Sequence, residues 1–337
     1  MANKADGKGR IFVVAVLVAV ALAGPTRVRR PTGPVRAGTH PGKPLARRYI
    51  AFQSDRKGGK YHIFLYEMTT QALVDTPSLN ATDSQSQDTC PAMSSDGRYI
   101  AFQSDRSSQS AHVFVYDRPA SSFRPLYTMG SQFTDEHPWL TGDGLWIAFD
   151  SNRTKALWQL YMFNPQRGGY YDKQLAASAP KSQDLYPCCS ADGGLVVFQS
   201  NRNSPGTNNY QVFLYDVNSK SVEPIPGQDD KSFSGFPNIS PDGRYITYVS
   251  RRSGTHSALY LYDRNSAKAA SRELLPSWTQ DQLTPCMSKD DNRIAFSANR
   301  PGGQGGNDIY ILDMSTLQVT SPTGLNSASN ESAPFIQ

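Results

Sequence analysis

Six times along the chain an apolar pair is followed by a polar triplet that ends in arginine. The pairs are Ala51-Phe52, Ala101-Phe102, Ala148-Phe149, Val197-Phe198, Thr247-Tyr248 and Ala295-Phe296, spaced 50, 47, 49, 50 and 48 residues apart. The triplets are Ser54-Asp55-Arg56, Ser104-Asp105-Arg106, Ser151-Asn152-Arg153, Ser200-Asn201-Arg202, Ser250-Arg251-Arg252 and Ala298-Asn299-Arg300. A fixed period of this kind means repeated supersecondary units that bury their apolar faces against their neighbours, so it constrains the fold more than any local motif.

Within one unit the elements follow from alternation and turn residues. Cys90-Pro91-Ala92-Met93-Ser94 opens as a short strand, and Ser95-Asp96-Gly97-Arg98 is a tight turn, because Asp-Gly supplies the positive φ that a hairpin needs. Tyr99 to Gln103 alternates as a second strand; a polar loop leads to the aromatic strand Val113-Phe114-Val115-Tyr116-Asp117, and a more variable fourth strand closes the unit. Four short strands per unit with no helical periodicity predict an all-β, six-bladed β-propeller built of four-stranded antiparallel blades.

The ends of the repeat array predict a closed ring. The first unit lacks its opening strand, while Glu331-Ser332-Ala333-Pro334-Phe335-Ile336 is an opening strand with no unit after it. Pairing of the C-terminal strand into the first blade would complete that blade and hide two sheet edges.

The units Pro91 to Arg106 and Pro237 to Arg252, each followed by an aromatic strand, resemble the WD-like repeats of the TolB propeller family, and the resemblance covers residues 48–337. It implies an extracytoplasmic propeller. Proteins of that family sit in the periplasm, bind a peptidoglycan-associated lipoprotein and are exploited by bacterial toxins. They carry an amino-terminal α/β domain ahead of the propeller, where this chain shows only a linker.

The amino end reads as an export signal. Lys4, Lys8 and Arg10 precede an apolar run of 13 residues, Ile11 to Ala23, ending in Ala21-Leu22-Ala23. Such a run gives about 20 Å of helix, short of the roughly 30 Å hydrocarbon core of a membrane, so cleavage is expected and membrane attachment would come only through an uncleaved signal. The expected domains are a signal peptide over 1–23, a Pro/Gly/Arg-rich linker over 24–46 and the propeller over 47–337, in a periplasmic or otherwise extracytoplasmic monomer. Residues 1–48 hold ten Lys/Arg and one acid, so +9 of the net +5 lies there and the remaining residues carry −4. A mildly acidic folded part is a poor binder of nucleic acid.

Most chemistry is excluded by the same reading. There is no Gly-x-Ser-x-Gly elbow, and His40, His62, His112, His137 and His256 show neither His-x-His nor His-Glu-x-x-His spacing, so no catalytic residue, metal site or cofactor is expected. The histidines read as partly exposed strand or loop residues. Cys90, Cys188, Cys189 and Cys286 flank the opening prolines of blades two, four and six, too far apart to bridge between blades, so small buried thiols are expected, with a vicinal Cys188–Cys189 bridge as the exception.

Two patterns concern the binding face. An acid precedes the opening proline by three or four residues as Asp88, Asp135, Asp184, Asp281 and Glu331, and these are expected to hold loops together by pairing with Arg106, Arg153, Arg202, Arg300 and Arg56. Blade five breaks the pattern, with Ser234 in place of the acid and Arg251 beside Arg252. Blades four and six have longer loops after their triplets, containing Asn209 and Asn307. Arg251, Arg252, Ser234, Asn209 and Asn307 are therefore the expected ligand-binding sector, suited to an anionic group. The expected function is a non-catalytic scaffold of the cell envelope that recognises a protein or peptide partner, with a Tol-type envelope or transport role. The alternative is a propeller enzyme acting on glycans, a glycosidase or lyase, which would show paired groups breaking the repeat inside one pocket.

Overall fold

A computed structural model of the chain describes residues 48–337 apart from 77–78, 80–84, 108–109, 125, 127–132, 154–156, 176–180 and 267–269, together with the backbone alone of 170–175. The expected signal peptide and linker lie outside the described residues. Among those described there is no helix, and the strands, labelled β1–β24 in chain order, form six four-stranded antiparallel sheets.

The innermost strands are β4 (Asp88–Met93), β8 (Asp135–Leu140), β12 (Asp184–Cys189), β16 (Ser234–Ile239), β20 (Gln282–Met287) and β24 (Glu331–Ile336). Each pairs with the second strand of its blade: β5 (Tyr99–Ser104), β9 (Ile147–Ser151), β13 (Leu195–Ser200), β17 (Tyr245–Ser250), β21 (Arg293–Ala298) and, for β24, β1 (Tyr49–Ser54). The ring thus closes as the terminal fragments require: Ile50 faces Ile336 and Ser54 faces Glu331 in the first blade, whose remaining strands are β2 (His62–Glu67) and β3 (Ala72–Val74).

Second strands are buried on both faces because every sheet packs between two others. Ile50, Ala51 and Phe52 are fully buried, as are Ile100, Ala101 and Phe102 in the next blade. Each of the six apolar clusters joins neighbouring blades; Ala148, Leu160 and Met162 of blade three, for instance, pack on Val196, Phe198 and Phe213 of blade four. The core is therefore a ring of six inter-blade layers, and the apolar pair of the repeat is its main constituent.

The hairpin joining first and second strands repeats one design. Asp96 Oδ1 accepts from the Ser94 hydroxyl at 2.6 Å and from the Arg98 N–H at 3.0 Å, and Gly97 takes φ 68°. Gly144, Gly193 and Gly243 occupy the same place in blades three to five, whereas in blade six Asp291 adopts φ 57° there.

Candidate ligand site at the channel mouth

Every innermost strand is broken by a bulge at the residue before its proline, where the ladder to the second strand skips: between Thr89 and Ala92 in blade two and between Glu136 and Trp139 in blade three. The residues at the break, Cys90, His137, Tyr186, Phe236, Thr284 and Ala333, all have positive φ between 47° and 54°. Proline suits the next position because it has no N–H to donate where the ladder is interrupted.

In four blades the N–H of the residue at the break meets a side chain of the preceding blade. Gln53 Oε1 accepts from Cys90 at 2.9 Å, Gln103 Oε1 from His137 at 2.8 Å, Asp150 Oδ1 from Tyr186 at 3.1 Å and Gln199 Oε1 from Phe236 at 3.0 Å. The acceptor is the residue after the aromatic of the apolar pair, so a short stretch of second strand builds the core and ties the ring together.

All six residues at the break line one recess, of about 90 Å³, at the end of the central channel. Trp139 closes it: its ring lies 5.0 Å from that of Phe335 across the channel, and its Nε1–H donates to Cys189 O at 3.2 Å. Beyond Trp139 a smaller cavity of about 40 Å³, lined by Met93, Ile239 and Met287 among others, opens at the opposite end. On one side the recess carries an aromatic wall, with the His137 and Tyr186 rings 3.6 Å apart and Tyr186 edge-on to Phe236 at 4.8 Å.

Blade three departs from its sisters here. Asp150 stands where Gln53, Gln103 and Gln199 stand in blades one, two and four, and its fully buried carboxylate holds His137 Nδ1 at 2.9 Å. Glu136 faces Asp150 across the ladder, and Glu136, His137 and Asp150 can each offer a ligand atom within 4.8 Å of the others. Burial pushes the Asp150 and Glu136 carboxyls above their ordinary range, with His137 drawing each back only in part. Burial opposes charge on His137, yet Asp150 and Glu136 outweigh it and raise the imidazole pKa. Burial also pushes the Cys90 and Cys286 thiols up to about 12, far from the thiolate form a nucleophile needs.

The acid–arginine pairs form in four blades. Arg106 reaches Asp88 at 2.8 Å, Arg153 reaches Asp135 at 2.5 Å, Arg202 reaches Asp184 at 3.0 Å and Arg56 reaches Glu331 at 2.9 Å. Each guanidinium also lies over the blade's aromatic residues, as Arg202 does over Phe198 and Phe213 at 4.9 Å, which suits arginine better than lysine. In blade six the expected pair is not made. Asp281 precedes the ladder position by one residue and accepts the Ser257 N–H at 2.6 Å; Gln282 occupies the position, and Arg300 lies over Trp278.

The residues of the expected sector in blades four to six are tied locally. Ser234 is fully buried and donates to Ser250 Oγ at 2.9 Å, out of reach of a dissolved ligand. Arg252 lies 3.8 Å over the Tyr260 ring and donates to Ser271 O, and the exposed Arg251 donates to Ser257 Oγ. Asn209 Nδ2 donates to Asp230 O, and the Asn307 N–H donates to Asn330 Oδ1.

Two histidines differ from the partly exposed state expected of them. His62 and His112 are buried on third strands, with His62 Nδ1 3.3 Å from Asp88 Oδ2, because both faces of those strands are covered. His137 is partly exposed, as expected, and lines the recess with 14% of its side chain open. The cysteines are free thiols, three buried and Cys90 half-buried in the recess wall.

No protein-family model matches the chain, and no curated protein matches it. Solved structures do. TolB from Acinetobacter baumannii superposes with a TM-score of 0.66 at 17% identity, over 86% of this chain and 66% of that one, so the chain spans just under two thirds of that TolB. Oligogalacturonate lyase from Vibrio parahaemolyticus matches with a TM-score of 0.53 at 14% identity, over 80% of this chain and 73% of that one. An oligogalacturonate lyase in complex with manganese matches with a TM-score of 0.52 at 11% identity, covering 81% and 72%. The chain therefore has a TolB-like six-bladed propeller fold, which TolB and oligogalacturonate lyases also have.

Proposed function

We propose that this chain is an extracytoplasmic binding propeller that takes the tip of a protein or peptide partner into the channel mouth. The observation that carries this reading is the recess itself: six side chains from six blades converge on a pocket floored by Trp139. With about 90 Å³ of room, it holds roughly six waters or one protruding side chain, and is too small to enclose a sugar chain. Its aromatic wall, Tyr186 and Phe236, is the kind of rigid surface that anchors a partner at modest entropic cost. The extracytoplasmic setting is supported by the basic and apolar segment that opens the sequence, and the choice of a polypeptide by the likeness to TolB. A photoreactive residue at position 284 tests the reading: cross-linking of one envelope protein, competed by the unlabelled chain, is expected, and failure to trap any polypeptide would contradict it.

A second reading, a lyase or glycosidase acting on glycans, is favoured by one observation. The paired groups that break the repeat do exist, with His137 in the recess wall and Asp150 holding its Nδ1, as a general base is held. Against it, Asp150 is fully buried and neither carboxylate lines the recess, so the carboxylate pair of a glycosidase does not meet a substrate there.

A further inference from the structure

Two carboxylates face each other across the first two strands of blade three, Glu136 against Asp150. At this place in the ladder the other blades set Thr89 against Gln103, Leu185 against Gln199, Gly235 against Val249, Leu283 against Ser297 and Ser332 against Gln53. Like charges directly opposed across a ladder repel, the more so where one of them is fully buried. The Glu136 carboxylate makes no hydrogen bond or salt bridge with any described residue, and only the His137 imidazole draws on it favourably. Asp135, next to it, is already neutralised by Arg153 and has no charge to compensate. A divalent cation would relieve the pair, and the imidazole beside it gives the set a mixed nitrogen and oxygen donor chemistry that a patch of acids lacks.

We propose that blade three binds a divalent zinc-class metal ion through Glu136, His137 and Asp150. The three ligand atoms already lie within 4.8 Å of one another. Two carboxylates and a neutral imidazole cancel the charge of a divalent ion, and the imidazole selects a borderline ion such as zinc over calcium or magnesium, which take oxygen ligands. The surroundings are built to hold the set: the Tyr186 N–H fixes Asp150 Oδ1, and the Tyr186 ring packs on the imidazole. An ion here would lock His137 as part of the recess wall, and the site stands whether or not the recess receives a peptide.

Sister blades supply variants compatible with the fold. Asp150→Gln installs the residue of blades one, two and four and keeps an acceptor for Tyr186; Glu136→Thr installs that of blade two. The untagged full chain is stripped with a chelator and titrated with zinc against a chromophoric competitor, with metal content and thermal midpoint measured in parallel. About one zinc per chain is expected in the wild type, with affinity at least about 100-fold weaker in both variants and a zinc-dependent rise of the midpoint in the wild type alone. Calcium is expected to produce no such rise. Wild-type uptake no greater than that of Asp150→Gln, or unchanged binding in both variants, would overturn the proposal.

Discussion

Gln103 accepts the backbone N–H of His137 at 2.8 Å, joining blade two to blade three by one hydrogen bond at the innermost radius of the ring. Blades one and four use Gln53 and Gln199 in the same way, but blade five has Val249 at this place, with no polar atom to meet the Thr284 N–H. Gln103→Leu is expected to cost about 1–3 kcal/mol, because a recessed donor loses its acceptor. Urea denaturation checks this, and amide exchange is expected to be faster at Thr284 than at Cys90, His137 or Phe236. Equal stability of Gln103→Leu and wild type would show that the ring does not depend on these bonds.

The arginine pairs predict a graded response. Arg202 has 11% of its side chain exposed and Asp184 none, so Arg202→Met strands a buried carboxylate and is expected to cost about 3–5 kcal/mol. Arg252→Met is expected to cost clearly less, since Ser234 stands in place of the acid and the lost contacts are the Tyr260 ring and Ser271 O. Thermal unfolding of the two variants decides the matter; equal losses would mean that ring packing, not charge, sets the role of these arginines.

Asp291 occupies a turn position that is glycine in blades two to five, at φ 57°, and its buried Oδ1 has no hydrogen-bond partner among the described residues. Asp291→Gly is expected to stabilise the protein by about 1 kcal/mol. Burial, with Asp242 and Asp290 nearby, raises its pKa from 3.8 to about 6. The folded state therefore holds the proton more tightly than the unfolded state, and the penalty of the charged form is relieved as pH falls from 7 through 6 toward 4. The advantage of Asp291→Gly over wild type should shrink across that window, as denaturation at several pH values would reveal; an advantage constant with pH would place its cause in the backbone alone.

Much of this was legible in the sequence because the repeat makes each blade a control for the others. The Ala-Phe pair, the closing strand at Glu331–Ile336 and the arginine pairs of blades one to four follow from it directly. Asp281 does not pair with Arg300 because one residue of offset in a strand turns a side chain to the opposite face, leaving Gln282 at the ladder position. The Glu136–His137–Asp150 cluster shows no metal-ligand spacing along the chain, because these residues meet across a ladder. Its signal was present in Phe149-Asp150-Ser151, where the sister units read Phe52-Gln53-Ser54, Phe102-Gln103-Ser104 and Phe198-Gln199-Ser200. The recess itself needs a positive φ at residues as different as Cys90 and Phe236, which no residue type announces.

The most direct test of the channel mouth as the binding site is selection of a random peptide library on the immobilised full chain, followed by affinity measurement on filled and unfilled recesses. Thr284→Phe combined with Ala333→Phe fills the recess with the residue Phe236 already places at a position of the same backbone geometry. Selected peptides are predicted to lose at least about tenfold in affinity for the filled recess, or roughly 1.4 kcal/mol, and to bind Arg251→Ser/Arg252→Ser as they bind the wild type. Binding indifferent to the filled recess but lost with the two arginines would contradict the account and place the site on blade five.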